Sequence, residues 1–300
     1  MRTKTYLFAL MAMVLTLGSC SDNENGIGGE TSKYITVSTS IGNMTRVATD
    51  EKGGQTFEEG DEISVYAWTG APTVAPETSE RVVNNAINKL TNGSWVATPQ
   101  MLWKNNRDKH YFIGVYPVSA ISDLSAGEYT FDETKQVESD LLVAVNKDGL
   151  SYNVDEQQPV PLTFTHVMAK LVVNLTYKNQ WGGIPTVEKV VVGNAAKEAT
   201  INFLTKVVTP STTAKEDFSL PEITENTKYV SVIIPQEDVK QLTIVIGGKN
   251  FVYDNGTPFK LESGKITTVN LEVGRDEIKL GDVKITNWED GSTFGGEALN

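Results

Sequence analysis

The chain reads as all-β, built as two antiparallel β-sandwiches in tandem. Three observations predict this. Apolar residues recur with a period of two rather than 3.6. β-branched residues dominate the periodic segments. Short turn signals separate those segments, and the strand–helix alternation of a parallel fold is missing.

The elements follow in order from the N-terminus. Arg2 and Lys4 form a positive start, and Tyr6 to Leu17 is an apolar run of the length of a signal core, too short to span a bilayer. Leu17-Gly18-Ser19-Cys20 then has the layout of a bacterial lipoprotein signal. Residues 1–19 are expected to be removed, leaving Cys20 as the lipidated first residue. Residues 20–32 are polar and glycine-rich, a flexible tether. Asp22 and Glu24 resemble an acidic surface-sorting signal, or are simply part of a solvated linker.

Two domains are expected beyond the tether, at 33–158 and 159–300, because domains usually hold about 100–150 residues. The seam is set at Asp155 to Pro161, where two prolines interrupt strand patterning. The first strand covers 33–42, and its Ile35, Val37 and Ile41 must face a core. A long polar loop from Gly42 to Gly54 follows and is suited to protease access. Ile63 and Val65 mark the next strand. The segment 79–90 is the best helix candidate, but Val82, Val83, Asn84 and Asn85 form helices poorly, so it is expected to be strand or irregular. Asn92-Gly93 and Asn255-Gly256 read as tight hairpins. Further strands are expected at 171–175, 230–234, 242–246 and 266–273. At the C-terminus, Ile278 and Leu280 alternate, as do Val283 and Ile285, but the two pairs are out of phase at Gly281-Asp282, where a bulge would re-aim the second.

Composition excludes several functions. The chain has 26 basic and 38 acidic residues. Removal of Arg2 and Lys4 with the signal leaves 24 − 38 = −14, a charge that phosphate backbones repel, so nucleic acid is not an expected partner. Cys20 is the only cysteine, which rules out an internal disulfide and a cysteine-type zinc site. Neither nucleophile-elbow, zinc-protease nor Walker-type motifs occur. Asp22 to Gly26 resembles a calcium loop but has Lys33 where the last carboxylate belongs. No catalytic residue, metal or cofactor is therefore expected. His110 starts a strand and could lie at the surface. His166 shares a face with Phe164 and Met168 and reads as structural. Trp68, Trp95, Trp103, Trp181 and Trp288 either belong to cores or form a sugar-stacking platform.

Several phrases together resemble the fimbrillin family, the Mfa-like subunits of type V pili. Met44 to Ala48 is similar to its Thr-Arg-Ala element, and Phe57-Glu58-Glu59-Gly60-Asp61-Glu62-Ile63 to its Phe-x-x-Gly-Asp-x-Ile pattern. Trp103 with Tyr111 to Pro117, Asp140 to Ala144, Phe164 to Leu171, Ile234-Pro235-Gln236 and Ile285 to Trp288 complete the set, spread in order over nearly the whole chain. The resemblance implies two transthyretin-like Greek-key sandwiches. It also implies export as an outer-membrane lipoprotein, trimming after an arginine, here Arg46, and strand exchange with other pilin subunits in a cell-surface fimbrium that supports adhesion to a host protein or glycan.

The residues support that route on their own terms. A cut after Arg46 would release the first strand together with the lipid and leave an open edge and an apolar groove. A partner strand would then bury new anchors at ~1.5–3 kcal/mol each. Ile35, Val37 and Ile41 mark the acceptor; Ile278, Leu280, Val283 and Ile285 mark the candidate donor, unless these are ordinary strands of the second domain. The alternative function is a monomeric surface lipoprotein that binds glycans through exposed tryptophans.

Overall fold

Strand pairing decides which edges of this protein are open. The computed structural model describes residues 33–42, 56–153 and 158–288, so Cys20, Arg46, the signal and the tether lie outside the described residues. The described chain is all-β, with two single-turn 3-10 helices at Thr78–Glu80 and Asn179–Trp181. The first half holds β1 (Val37–Ile41), β2 (Glu62–Thr69), β3 (Val83–Thr91), β4 (Ser94–Thr98), β5 (His110–Tyr116), β6 (Gly127–Thr130), β7 (Leu142–Leu150) and β8 (Val160–His166). The second half holds β9 (Ala169–Tyr177), β10 (Val187–Ala196), β11 (Glu198–Asn202), β12 (Val207–Pro210), β13 (Lys215–Leu220), β14 (Glu222–Thr224), β15 (Lys228–Ile233), β16 (Gln236–Ile246), β17 (Lys249–Leu261), β18 (Lys265–Val273) and β19 (Ile278–Asn287).

Four sheets result. The largest runs β1-β8-β7-β5-β2-β3-β4, so β1 and β4 are its edges. A four-stranded sheet runs β13-β10-β16-β17, and a five-stranded sheet runs β14-β15-β9-β18-β19. A small sheet, β12-β11-β6, joins a strand of the first half to two of the second. The expectation of wholly antiparallel pairing needs correction. β1 pairs β8 in parallel, and β9 pairs β18 in parallel. Partners so far apart in sequence need no tight turn, which frees them from the antiparallel requirement of a hairpin.

Alternation explains which faces are buried. Ile35, Val37, Ile63, Val65, Val160, Leu162 and Phe164 belong to one apolar cluster. A larger cluster takes Trp68 and Ile113 from the first half and Val190, Ile244, Val269 and Trp288 from the second. The segment after the 3-10 turn at Thr78 is strand β3, as its β-branched and Asn residues implied. Asn92 and Gly93 take φ of 51° and 72° and close the β3–β4 hairpin.

Three further expectations need correction. Asn255-Gly256 is not a hairpin turn: both residues lie inside β17, whose pairing with β16 skips from Asp254 to Phe259. The extra residues loop out of a continuous strand, because β16 runs on past that point and keeps both ends of β17 paired. Pro161 does not break β8; it sits within the strand, opposite Ser38 of β1. β7 pairs β8 only from Phe164 onward, so the missing N–H of Pro161 leaves no β7 ladder bond unmade. His110 is not a surface residue but fully buried. The Lys104 N–H donates to its Nε2 at 3.1 Å, and Nδ1 lies 3.1 Å from the Asp108 carbonyl oxygen.

Candidate strand-exchange edges

The residues expected to anchor the first strand do face a core. Ile35 is 2% exposed and Val37 6%, while Ile41 is half-buried. β1 has β8 as its ladder partner, in register from Val37↔Val160 to Ile41↔Phe164. Just before β1, Tyr34 bridges Leu102, and the Ile35 N–H donates to the Met101 carbonyl at 2.9 Å. The other flank of β1 opens on a groove of about 640 Å³. Val37, Thr39 and Ile41 line one wall; Leu90 and Trp95 line the other. The indole N–H of Trp95 in β4 donates to Thr39 Oγ1 at 3.0 Å, so the large sheet curls until its two edges face one another.

The Phe57-to-Ile63 phrase shapes one end of this groove. The Asp61 carboxylate accepts from the Glu58 N–H at 2.7 Å, and Gly60 takes φ 97°, a conformation that favours glycine. Gly60 N–H donates to the Leu90 carbonyl and Leu90 N–H to that of Asp61, tying the turn to β3. The turn aims Phe57 into a ring cluster, 5.3 Å from Trp95, 5.4 Å from Tyr116 and 5.1 Å from Phe164. Burial, helped by the Asp61 carboxylate, pushes the Tyr116 hydroxyl up to about 12. That group stays a neutral hydrogen-bond donor at any physiological pH.

The candidate donor, β19, is the edge of the five-stranded sheet and pairs with β18. Its register slips between Val269↔Val283 and Leu271↔Leu280, so β19 carries one extra residue at Gly281-Asp282. This bulge puts Ile278, Leu280, Val283 and Ile285 opposite the core-facing Val273, Leu271, Val269 and Thr267. Ile278 and Leu280 pack against the main cluster, but Val283 and Ile285 remain 40% and 39% exposed. β1 and β19 thus belong to different sheets, and each is an edge.

Beyond β19 the chain is fastened. Trp288 is 3% exposed, and its ring stacks on His166 with centroids 4.1 Å apart and planes at 5°. His166 Nδ1 lies 2.8 Å from Asp140 Oδ1, and the Lys170 ammonium sits 5.6 Å from the Trp288 ring centre. Sequence reasoning marked Asp140, His166 and Trp288 in three separate phrases but did not join them. Nothing in local periodicity reveals a contact across more than a hundred residues.

Residues 45–288 match the model of the fimbrillin-like family. The chain belongs to that family. No curated protein sequence matches the chain. Among solved structures, the fimbrillin-like chain resembles a candidate cell adhesion protein of Bacteroides uniformis, with a TM-score of 0.64 at 18% identity over 86% of this chain and 100% of that one. A counterpart from Bacteroides ovatus gives 0.62 at 18% identity over 85% and 98%. The tip fimbrial protein Mfa3 of Porphyromonas gingivalis, with a C-terminal truncation, gives 0.50 at 11% identity over 77% and 95%. At such identities the likeness is one of fold.

The tryptophans of this fimbrillin-like chain do not form a platform. Trp68 and Trp288 are buried, and Trp95, Trp103 and Trp181 are half-buried in separate ring clusters. Indoles are large apolar surfaces, and the sheet interiors take them up. Among the described residues no group of His, Cys, Asp or Glu is arranged to hold a metal ion, and no helix is long and apolar enough to cross a membrane.

Proposed function

We propose that this protein is a structural subunit of a type V, fimbrillin-like pilus and has no catalytic role. In this reading it is exported as a lipoprotein, lipidated at Cys20 and carried to the outer membrane. It is then trimmed after Arg46 and polymerised on the cell surface by strand exchange with other subunits, in a fimbrium that supports adhesion to a host protein or glycan. We read it as tandem transthyretin-like Greek-key sandwiches, divided after β8 rather than at 158/159, because β8 pairs with β1 and β7. Membership of the fimbrillin-like family supports the class of function.

The observation that carries the strand-exchange step is the position of β1. It is an edge strand, yet it supplies Ile35 and Val37 to the core. Its loss would uncover apolar surface and unpair β8 along Val160 to Thr163 at once. Burying two such side chains returns roughly 3–6 kcal/mol, ample to select a replacement strand. The bulged β19, with four apolar residues brought to one face, has the chemistry of that replacement.

The test is treatment of the purified full-length protein with an arginine-specific protease. Cleavage after Arg46 should yield oligomer ladders that survive SDS without boiling, and Arg46→Ala should abolish them. Complete cleavage at Arg46 with a purely monomeric product would overturn the mechanism.

A further inference from the structure

β8 stands between the two edges and has unlike flanks. Along Val160 to Thr163 its ladder partner among the described residues is β1; β7 joins it only from Phe164 to His166. The Val160 N–H donates to the Thr36 carbonyl and the Gly42 N–H to that of Phe164, both at 2.8 Å. At its C-terminal end β8 delivers His166 to the face of Trp288, with Asp140 fixing the imidazole from behind. Trp288 is the residue directly after β19.

Apart from its pairing with β18, the second half of β19 is thinly packed. It has β18 on one side, and its Val283 and Ile285 are two-fifths exposed. The indole N–H of Trp288 is buried with no hydrogen-bond partner among the described residues, so the side chain is retained by burial, by its stack on His166 and by the Lys170 ammonium over its ring. A ring held that way depends on the ring beneath it. The ring beneath it rides on β8, and half of β8 rides on β1.

We propose that β8 couples the two edges of the molecule: β1 steadies β8, β8 presents His166 to Trp288, and loss of β1 loosens the stack that fastens β19. A subunit that has given up its first strand is thereby prepared to offer its last strand to a second copy of this chain. The proposal deepens the strand-exchange reading and takes its biological meaning from it. Its physical content is a coupling between two strands of one monomer, carried by a contiguous packed element.

Hydrogen exchange on the full-length monomer, followed by mass spectrometry, reads this directly. Trp288→Ala and His166→Ala should each speed exchange of β19 amides about tenfold while the β16 amides keep their rate, since local opening need not reach the global core. Val37→Ala should speed exchange in β1 and also in β19. In the His166→Ala background, Val37→Ala should still open β1 but add nothing to β19, the non-additivity expected of residues on one path. If alanine leaves β1 protected, Val37→Asp replaces it; if β16 also opens, Ile41→Ala, at the half-buried end of β1, replaces it. An open β1 with β19 exchange unchanged, or equal increments in β19 with and without His166, overturns the proposal. Because the readout is monomeric, a failure of ladder formation with this coupling intact would count against the pilus mechanism alone.

Discussion

His110 accepts a backbone hydrogen bond at Nε2, and this fixes its protonation state. A proton on that nitrogen would face the Lys104 N–H, which already donates to it. Burial, the largest cause, lowers the imidazole pKa below its ordinary value. The folded protein therefore binds this proton less readily than the unfolded chain. Stability from this site is complete above the unfolded value of about 6.5 and is lost as pH falls below it. Urea midpoints measured near neutral pH and at about pH 5 should fall more for the wild type than for His110→Gln, whose amide cannot titrate. Gly114 in β5 makes a second residue-level prediction. A Cβ there would stand 2.6 Å from the Phe164 ring, a buried side chain of β8 that would have to shift. Gly114→Ala should cost about 1–3 kcal/mol by chemical denaturation; an unchanged midpoint would mean that the ring has space.

At the scale of elements, the two edge strands differ in what they supply. β1 gives buried anchors, and Ile35→Ala should cost about 2–5 kcal/mol in urea unfolding. β19 gives half-exposed ones, and Val283→Ala and Ile285→Ala should each cost about 1 kcal/mol or less. Equal costs at the two strands would contradict the assignment of acceptor and donor. Period-two patterning made β1, β9, β16 and β18 legible, because a strand with one buried face writes that face into its sequence, whereas β2 is buried on both faces. The β3–β4 hairpin was legible in Asn92-Gly93, since few other residues tolerate its positive φ. The same dipeptide at 255–256 misled, because a turn signal is local and the continued pairing of β17 with β16 is not. The bulge at Gly281-Asp282 was legible as a phase slip between two apolar pairs.

The whole molecule is organised by contacts that no local pattern encodes. The parallel pairing of β1 with β8, the groove between β1 and β4, and the joining of Asp140, His166 and Trp288 all depend on strands distant in sequence. The apolar residues of β1 were readable as core-facing, but not that their strand would be an edge, because edge position is a property of the sheet. Net charge acts at this scale too. The chain after cleavage at Arg46 carries 22 basic and 35 acidic residues, 22 − 35 = −13, and repels its copies; screening shortens that repulsion to about 10 Å at 0.1 M salt, so protease-triggered ladders should form faster as salt rises toward that level. Gel time courses at low and moderate salt check this; rates that fall with salt would argue for charge attraction between subunits instead.

Polymerisation by strand exchange requires that the first strand be surrendered and replaced by a neighbour's backbone. Intact-mass and N-terminal analysis of the subunits in isolated polymer tests it most directly. The expected result is subunits that begin at Val47 and carry no trace of residues 33–42. Polymer in which every subunit retains that strand would contradict it.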